Sequence, residues 1–205
     1  MNSPLVLFAF TSLVLVVAYS IVRALACPRP TPPYSLEATT LLAYAGAEHK
    51  LGRLVRIQTV SHFSHAEEND DAFASVKTEL MRMFPLAAAR LLWTFAGPRA
   101  ILIEWPGSDG ALDPVILCAH YDVVPPGDEA GWNFGPFSGD IVDGFVLGRG
   151  SQDTKVTLVA IMESAERLLT KGFTPKRSLY FAFGGDEETG GLDGARSIAS
   201  LLQER

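Results

Sequence analysis

The fold of this chain is decided by the stretch Leu117–Cys118–Ala119–His120–Tyr121–Asp122–Val123–Val124–Pro125. It predicts an apolar strand that ends at Pro125, because proline has no N–H to donate to a sheet. Side chains two residues apart on a strand share one face, so His120 and Asp122 are expected to lie side by side. A histidine held by a carboxylate is the usual arrangement of a metal ligand. On this stretch alone an ordinary strand-end histidine is favoured, and two later stretches change that interpretation.

The composition is that of a globular chain. Of its 205 residues, 48% are hydrophobic and 20% are charged, which excludes a disordered chain and allows one sizeable core. The net charge of −6 argues against a nucleic-acid partner. The two cysteines, Cys27 and Cys118, provide no disulfide framework. Cys118 lies in the apolar strand and is expected to be a small buried side chain.

The N-terminal segment is predicted to enter a membrane. Residues 5–22 are apolar except for one threonine and two serines. A run of about 18 residues is at the lower end of what crosses a bilayer. Residues 1–27 are either a signal peptide, cleaved after the small residues 24–26, or an uncleaved anchor. Both predict the secretory pathway: a secreted or single-pass anchored protein, extracellular or vacuolar/lysosomal. Residues 28–35 are rich in proline and predict a stiff linker.

Residues 36–205 alternate between helical and strand patterns. This indicates the fold class α/β, with a mixed sheet and helices on both faces. Helices are predicted at 36–57, with an interruption near Gly46, and at 72–83, 156–169 and 193–203. Strands are predicted at 91–95 and 100–105 as a hairpin, at 115–121 as the central strand, and at 179–183. The polar residues 61–71 predict a solvated loop, so its His62 and His65 are not favoured as metal ligands.

A second informative stretch, GRGSQDTK at residues 148–155, directly precedes a predicted helix. Its glycines allow a tight turn, and Asp153 is expected at or near the first helical turn, where backbone N–H groups favour a carboxylate. An ordinary helix N-cap is the alternative for Asp153 considered alone. A phosphate-binding loop is excluded, because the Walker spacing is absent.

A third stretch, GGDEETGG at residues 184–191, follows the apolar strand at 179–183. It holds three consecutive carboxylates, from Asp186 to Glu188, where open α/β sheets bind their ligands. Adjacent glutamates point in different directions, so one can bind a metal while the other faces substrate. A solvated acidic loop is the alternative for this stretch considered alone.

Together the three stretches supply an imidazole, a separated aspartate and a pair of glutamates. These donors suit Zn²⁺ or a similar divalent ion. One zinc needs only three such ligands, so the number of carboxylates favours two metal ions that share a bridging aspartate.

Three blocks resemble the signature blocks of the aminoacylase/carboxypeptidase S family of di-zinc peptidases: HYDVVP at 120–125, GRGSQD at 148–153 and GDEETGG at 185–191. The residues between them are most similar to the branch that contains N-fatty-acyl-amino-acid synthase/hydrolases and carboxypeptidase S. The resemblance covers residues 36–205, and three blocks in the family's order make coincidence a poor explanation.

The resemblance implies part of a catalytic domain with two Zn²⁺ ions in its complete form. The implied activity is hydrolysis of an amide bond in N-acyl amino acids or small peptides. By resemblance, His120 binds one zinc and is oriented by Asp122, while Asp153 bridges both ions. Glu187 is then the general base, and Glu188 is a ligand of the other zinc.

The sequence also departs from the family. Thr154 stands where many relatives carry aspartate or methionine, and Gly185 stands where close relatives carry histidine. Neither is an implied ligand, so the departures are expected to tune the site. The family's further acidic ligand, late histidine and lid domain are not found in these residues. We therefore expect the N-terminal part of a catalytic domain, which would form a homodimer only together with the lid domain.

Two competing hypotheses remain at this point. The first is a truncated, catalytically incomplete domain, secreted or tethered to the membrane through residues 5–22, with a binding role or none. The second is a membrane protein with an unrelated α/β ectodomain, which ranks last because it requires all three blocks to be coincidence.

Overall fold

The computed structural model describes residues 4–27 and 46–204, and the chain divides into the units Met1–Ala43 and Tyr44–Arg205. In the first unit the described residues form one helix, α1 (Pro4–Ala26). Its part Phe8–Ala26 is long and apolar enough to cross a membrane. The predicted linker at 28–35 and the first part of the helix predicted at 36–57 lie outside the described residues.

The second unit contains five helices and six strands among its described residues. The helices are α2 (Ala47–Arg56), α3 (Asp70–Met83), α4 (Pro85–Arg90), α5 (Lys155–Thr170) and α6 (Ala195–Gln203). The strands are β1 (Leu92–Ala96), β2 (Ala100–Trp105), β3 (Val115–His120), β4 (Ile141–Val142), β5 (Phe145–Val146) and β6 (Leu179–Gly184). The elements predicted between residues 72 and 203 are all present, with ends that differ by one or two residues.

Four of the strands form a mixed sheet in the order β1-β2-β6-β3. Strands β1, β2 and β6 pair antiparallel, and β6 pairs parallel with β3. The predicted mixed sheet and the predicted hairpin are therefore confirmed. The prediction of a central strand at 115–121 is wrong for the described residues, because β6 inserts between β2 and β3 and leaves β3 at the edge.

Both faces of the sheet are covered by helices. Alternate residues of β2 and β6 point to opposite sides, as the pleat requires. One side joins the main core with α2, α3, α4 and α5, and its buried residues from β2 and β6 are Ile101, Ile103, Trp105, Phe181 and Phe183. The other side packs against Ile198 of α6 through Ala100, Leu102, Tyr180 and Ala182. Helices on both faces are thus confirmed.

The edge position of β3 corrects the prediction for Cys118. Its side chain is exposed, and Val115 to Leu117 are also exposed. A continuous apolar run predicts a strand buried on both faces. Among the described strands of the sheet, only β6 lies beside β3. The apolar side chains of β3 are therefore more exposed than the composition of the run predicts.

The sequence analysis also missed helix α4. Pro85 ends α3 and at the same time occupies the first turn of α4, a position that suits proline because no N–H is needed there. The free N–H groups of Leu86 and Ala87 both donate to the carboxylate of Glu166 in α5, at 2.8 Å each. This cap depends on a residue 80 positions away, so local sequence did not reveal it.

Helix α2 fixes the loop that leads to Asp153. Gly52 lies so close to Gly139 that an added Cβ would be 2.5 Å from the Gly139 carbonyl oxygen. Lys155, at the start of α5, is fully buried and donates to the carbonyl oxygens of Leu54 at 2.9 Å and Ile57 at 2.8 Å. The segment that holds Asp153 is therefore anchored on both sides to α2.

We predict that Gly52→Ala destabilises the protein. Alanine favours a helix over glycine by about 1 kcal/mol, but overpacking against a backbone oxygen costs about 1–3 kcal/mol. The new methyl group meets backbone that has no alternative rotamer, so we expect a net loss in unfolding free energy. Chemical denaturation measures this loss. Gly110→Ala is the control, because no atom lies within 4 Å of an added Cβ there. Equal stability of the two variants would contradict the prediction.

Candidate metal centre

The candidate site lies where the parallel strands β3 and β6 end. His120 pairs with Gly184 in the strand register, and the N–H of Tyr121 donates to the Gly184 carbonyl at 2.9 Å. Parallel strands bring their carboxyl ends to the same edge of a sheet, where α/β proteins bind ligands. The segments that follow these two strands therefore emerge next to each other.

The three predicted metal ligands converge at this edge. One ligand atom each of His120, Asp153 and Glu188 lie within 4.8 Å of one another. The Nε2 atom of His120 is 3.1 Å from Asp153 Oδ1. Asp153 is not a helix N-cap, because Thr154 occupies that position. The Asp153 carboxylate is thus available to the site.

Asp122 is a buried residue that contacts His120, Glu187 and Glu188. Its carboxylate is fully buried, and Oδ1 lies 3.3 Å from His120 Nδ1. Oδ1 also accepts the N–H of Glu187 at 3.1 Å, while Oδ2 accepts the N–H of Glu188 at 3.0 Å and the hydroxyl of Ser61 at 2.8 Å. Burial raises the Asp122 pKa, but these hydrogen bonds outweigh burial and lower it. Nδ1 of His120 thus faces both the carboxylate and, at 3.2 Å, the backbone carbonyl of Asp122, which leaves Nε2 directed toward Asp153.

The acidic triplet separates into two roles. Glu187 and Glu188 lie in a short 3₁₀ turn, and Glu187 Oε2 is 3.7 Å from His120 Nε2. Asp186 is buried, and its Oδ2 accepts the N–H of Asp193 at 2.7 Å, just before α6. Asp186 therefore fixes the loop, while the two glutamates face the site.

The two loop histidines do not join the group. His65 lies 3.2 Å from Glu68 and 3.3 Å from Asp193 instead, and 62% of its side chain is exposed. His62 lies 3.6 Å from Glu67. Their ion-pair partners support the prediction that neither is a ligand of this site.

The site carries an excess of negative charge. Burial disfavours a charged imidazole, but the Asp122 carboxylate outweighs it and raises the pKa of His120 to about 9. Burial raises the pKa of the Glu188 carboxyl, and the neighbouring carboxylates raise it further. Both pKa values are thus shifted upward, as expected for groups surrounded by carboxylates. A divalent ion would supply positive charge there, and one imidazole with two carboxylates is a suitable donor set.

Sequence analysis missed the segment that supports Asp122. Ser61 was assigned to a solvated loop, but it is only 3% exposed and bonded to that carboxylate. The alternation of Thr59, Val60 and Ser61 is the pattern of a short strand, and Val60 does form a parallel bridge with Val123. Three residues are too short a run to identify by periodicity.

Comparison with known proteins agrees with this geometry. Residues 116–205, which contain every residue of the candidate group, match the model described as peptidase family M20/M25/M40. This part of the chain is thus similar to M20 peptidases. The match implies metal binding, and it confirms the resemblance that the three sequence blocks indicated.

Relatives of known activity support the assignment. N-fatty-acyl-amino acid synthase/hydrolase PM20D1.1 of Danio rerio is 39% identical over 153 residues, which cover 74% of this chain and 30% of the relative. Carboxypeptidase S of Saccharomyces cerevisiae is 40% identical over 165 residues, covering 76% of this chain and 29% of the relative. The chain therefore spans less than a third of the length of these two M20 proteins.

Solved structures show the same fold. Human carnosine dipeptidase 1 superimposes with a TM-score of 0.61 at 20% identity, over 79% of this chain and 36% of that chain. The dipeptidase Dug1p of Saccharomyces cerevisiae gives a TM-score of 0.56 at 22% identity, over 77% of this chain and 34% of that chain. The arrangement of strands and helices in this chain is thus that of part of these two dipeptidases.

We predict that divalent metal binding tightens as the pH rises. A metal ion binds the neutral imidazole, whereas His120, with a pKa of about 9, is protonated below that pH. Between about pH 6 and about pH 8, one displaced proton corresponds to about a tenfold gain in affinity per pH unit, and the gain levels off near pH 9. Titration with Co²⁺ at several pH values measures this slope.

The control for this slope is His49→Gln, which removes a histidine with a 75% exposed side chain outside the group. It should leave the slope unchanged. A Co²⁺ affinity that does not vary between about pH 6 and about pH 8 would refute the link between His120 protonation and metal binding.

Proposed function

We propose that this chain supplies part of the active site of a zinc-dependent amidohydrolase that cleaves N-acyl amino acids or small peptides. The observation that carries the proposal is the convergence of His120, Asp153 and Glu188 within 4.8 Å. The substrate class rests on the names of the relatives, a fatty-acyl-amino acid hydrolase and a carboxypeptidase. Two zinc ions are proposed for the complete domain, with Asp153 between them.

Zinc in such a site polarises a carbonyl oxygen and makes a water molecule acidic near neutral pH. The protein side chains then have separate tasks. His120 offers Nε2 as a ligand, because Nδ1 is directed to Asp122. Glu188 offers its carboxylate from the same turn as Glu187, and Asp122 fixes the backbone N–H of both. The ligands are thereby oriented before any metal arrives.

Glu187 is the proposed general base. Its side chain is 61% exposed, so it faces the open side of the site, and Oε2 lies 3.7 Å from the proposed ligand atom of His120. A carboxylate at this position can accept a proton from the attacking water and transfer it to the leaving amine. Proton transfer of this kind contributes a rate factor of about 10²–10⁴.

The N-terminal segment supports a proposed location in the secretory pathway. Helix α1 includes the stretch Phe8–Ala26, which satisfies the length and apolarity of a membrane span, and a signal sequence satisfies the same test. We propose residues 1–27 as signal or anchor, residues 28–35 as a linker and residues 36–205 as the N-terminal part of the peptidase catalytic domain. A homodimer is proposed only for a protein that includes the lid domain.

The edge position of β3 favours a second candidate function. Val115, Ile116 and Leu117 are 37%, 46% and 38% exposed, so an apolar strand beside the site is open to solvent. An exposed apolar patch can mark an interaction site for a partner. The second candidate is a catalytically incomplete domain that binds metal or a partner without turnover.

We predict that Glu187→Gln lowers amide hydrolysis by about 10²–10⁴-fold and leaves zinc content unchanged, because Glu187 is a base and not a ligand. The assay follows release of free amino acid from N-acyl amino acids by the zinc-loaded chain, with and without a chelator. Glu129→Gln, at an exposed position outside the group, is the matched control.

The same assay separates the two candidate functions. Chelator-sensitive release by the unmodified chain supports the hydrolase. Stoichiometric zinc without release supports the incomplete domain, and full activity of Glu187→Gln would refute the role of the base.

A further inference from the structure

A short segment of the chain lies beside the turn that carries His120 and Asp122. Val60 forms a parallel bridge with Val123. The N–H of Val123 donates to the Thr59 carbonyl at 2.9 Å, and the N–H of Ser61 donates to the Val123 carbonyl at 3.0 Å. Residues 59–61 therefore form a miniature strand that extends the sheet beyond the end of β3, on the side where the site is built.

Within this miniature strand, Ser61 contacts the site through its side chain. Its hydroxyl donates to Asp122 Oδ2 at 2.8 Å, and both residues are buried, with exposures of 3% and 0%. The same oxygen accepts the N–H of Glu188, whereas Oδ1 faces His120 and the N–H of Glu187. Each carboxylate oxygen thus has two donor groups around it.

We propose that Ser61 is a positioning residue of the metal centre, and this inference rests on the proposed function. The terminal torsion of an aspartate is soft, so donors on both oxygens are needed to fix the plane of the carboxylate. Ser61 supplies the only hydroxyl donor to Asp122 among the described residues. Together with the N–H of Glu188 on the same oxygen, it fixes the carboxylate plane, and Asp122 in turn orients the His120 ring and the backbone of the Glu187–Glu188 turn.

Thr59 provides a matched comparison. It lies in the same miniature strand, is equally buried, and its hydroxyl also makes one buried hydrogen bond. That bond goes to the backbone carbonyl of Tyr121 and not to the Asp122 carboxylate. Thr59→Val therefore removes a comparable hydrogen bond while it leaves all donors to Asp122 in place.

The experiment compares Ser61→Ala, Ser61→Thr and Thr59→Val in the full 205-residue chain. The first readout is amide hydrogen exchange of Glu187 and Glu188 in the metal-free protein, since both N–H groups donate to Asp122. The second readout is the dissociation constant for Co²⁺. Loss of a supporting partner behind a ligand costs about 10–100-fold in metal affinity.

We expect Ser61→Ala to accelerate exchange at both amides about tenfold and to weaken Co²⁺ binding by about tenfold or more. Ser61→Thr keeps the hydroxyl and should restore both values toward those of the unmodified chain. Thr59→Val should lose stability without either change. Should the alanine variant unfold, Ser61→Cys gives the same comparison, because its S–H is a similar group in size but a weak donor.

Equal effects of Ser61→Ala and Thr59→Val on both readouts would overturn the proposal, as would a Ser61→Ala variant with unchanged amide exchange. An unmodified chain that binds no Co²⁺ would contradict the proposed metal function. In that case, faster exchange at Glu187 and Glu188 in Ser61→Ala alone would still support the positioning of Asp122 by Ser61.

Discussion

The candidate site depends on one buried carboxylate. Burying an ionised group is costly unless hydrogen bonds compensate for the lost water. Asp122 is compensated by donor groups from three separate segments: Ser61, His120 in β3, and the backbone of Glu187 and Glu188. The three segments meet at this carboxylate, because their donor groups together compensate for its lost hydration. The pKa of Asp122 is lowered because these hydrogen bonds, which favour the ionised form, outweigh the effect of burial. Protein stability and ligand orientation therefore have a common cause at this position.

The remaining candidate ligand, Asp153, is positioned by backbone packing. Its loop is held against α2 by the close approach of Gly52 and Gly139 and by Lys155, whose ammonium group binds two carbonyl oxygens at the end of α2. Burial lowers the pKa of Lys155 to about 7, so this anchor is maintained at an electrostatic cost. The site thus combines a polar network around Asp122 with a packed junction beneath Asp153.

Local patterns in the sequence predicted most of the second unit. Apolar periodicity located its helices and strands, and three short blocks identified the group His120, Asp153 and Glu188. Long-range contacts were not predictable in this way. The insertion of β6 between β2 and β3, and hence the exposure of Cys118, depends on strand order. The bond from Ser61 to Asp122 joins residues 61 positions apart, and neither residue type reveals it. Periodicity reports which face of an element is apolar, but it does not report which element covers that face.

Gly185 departs from the family pattern, and the packing of Tyr121 against it provides a physical reason. A Cβ at this position would lie 2.5 Å from Cζ of Tyr121, whose side chain is fully buried. The Tyr121 backbone cannot yield, because its N–H is bonded to Gly184 and its carbonyl to Thr59. The ring would have to leave a packed core, where overpacking costs about 1–3 kcal/mol. A side chain at 185 and a tyrosine at 121 therefore exclude each other in this arrangement. Because Tyr121 lies between His120 and Asp122, position 185 packs against the segment that carries these two residues.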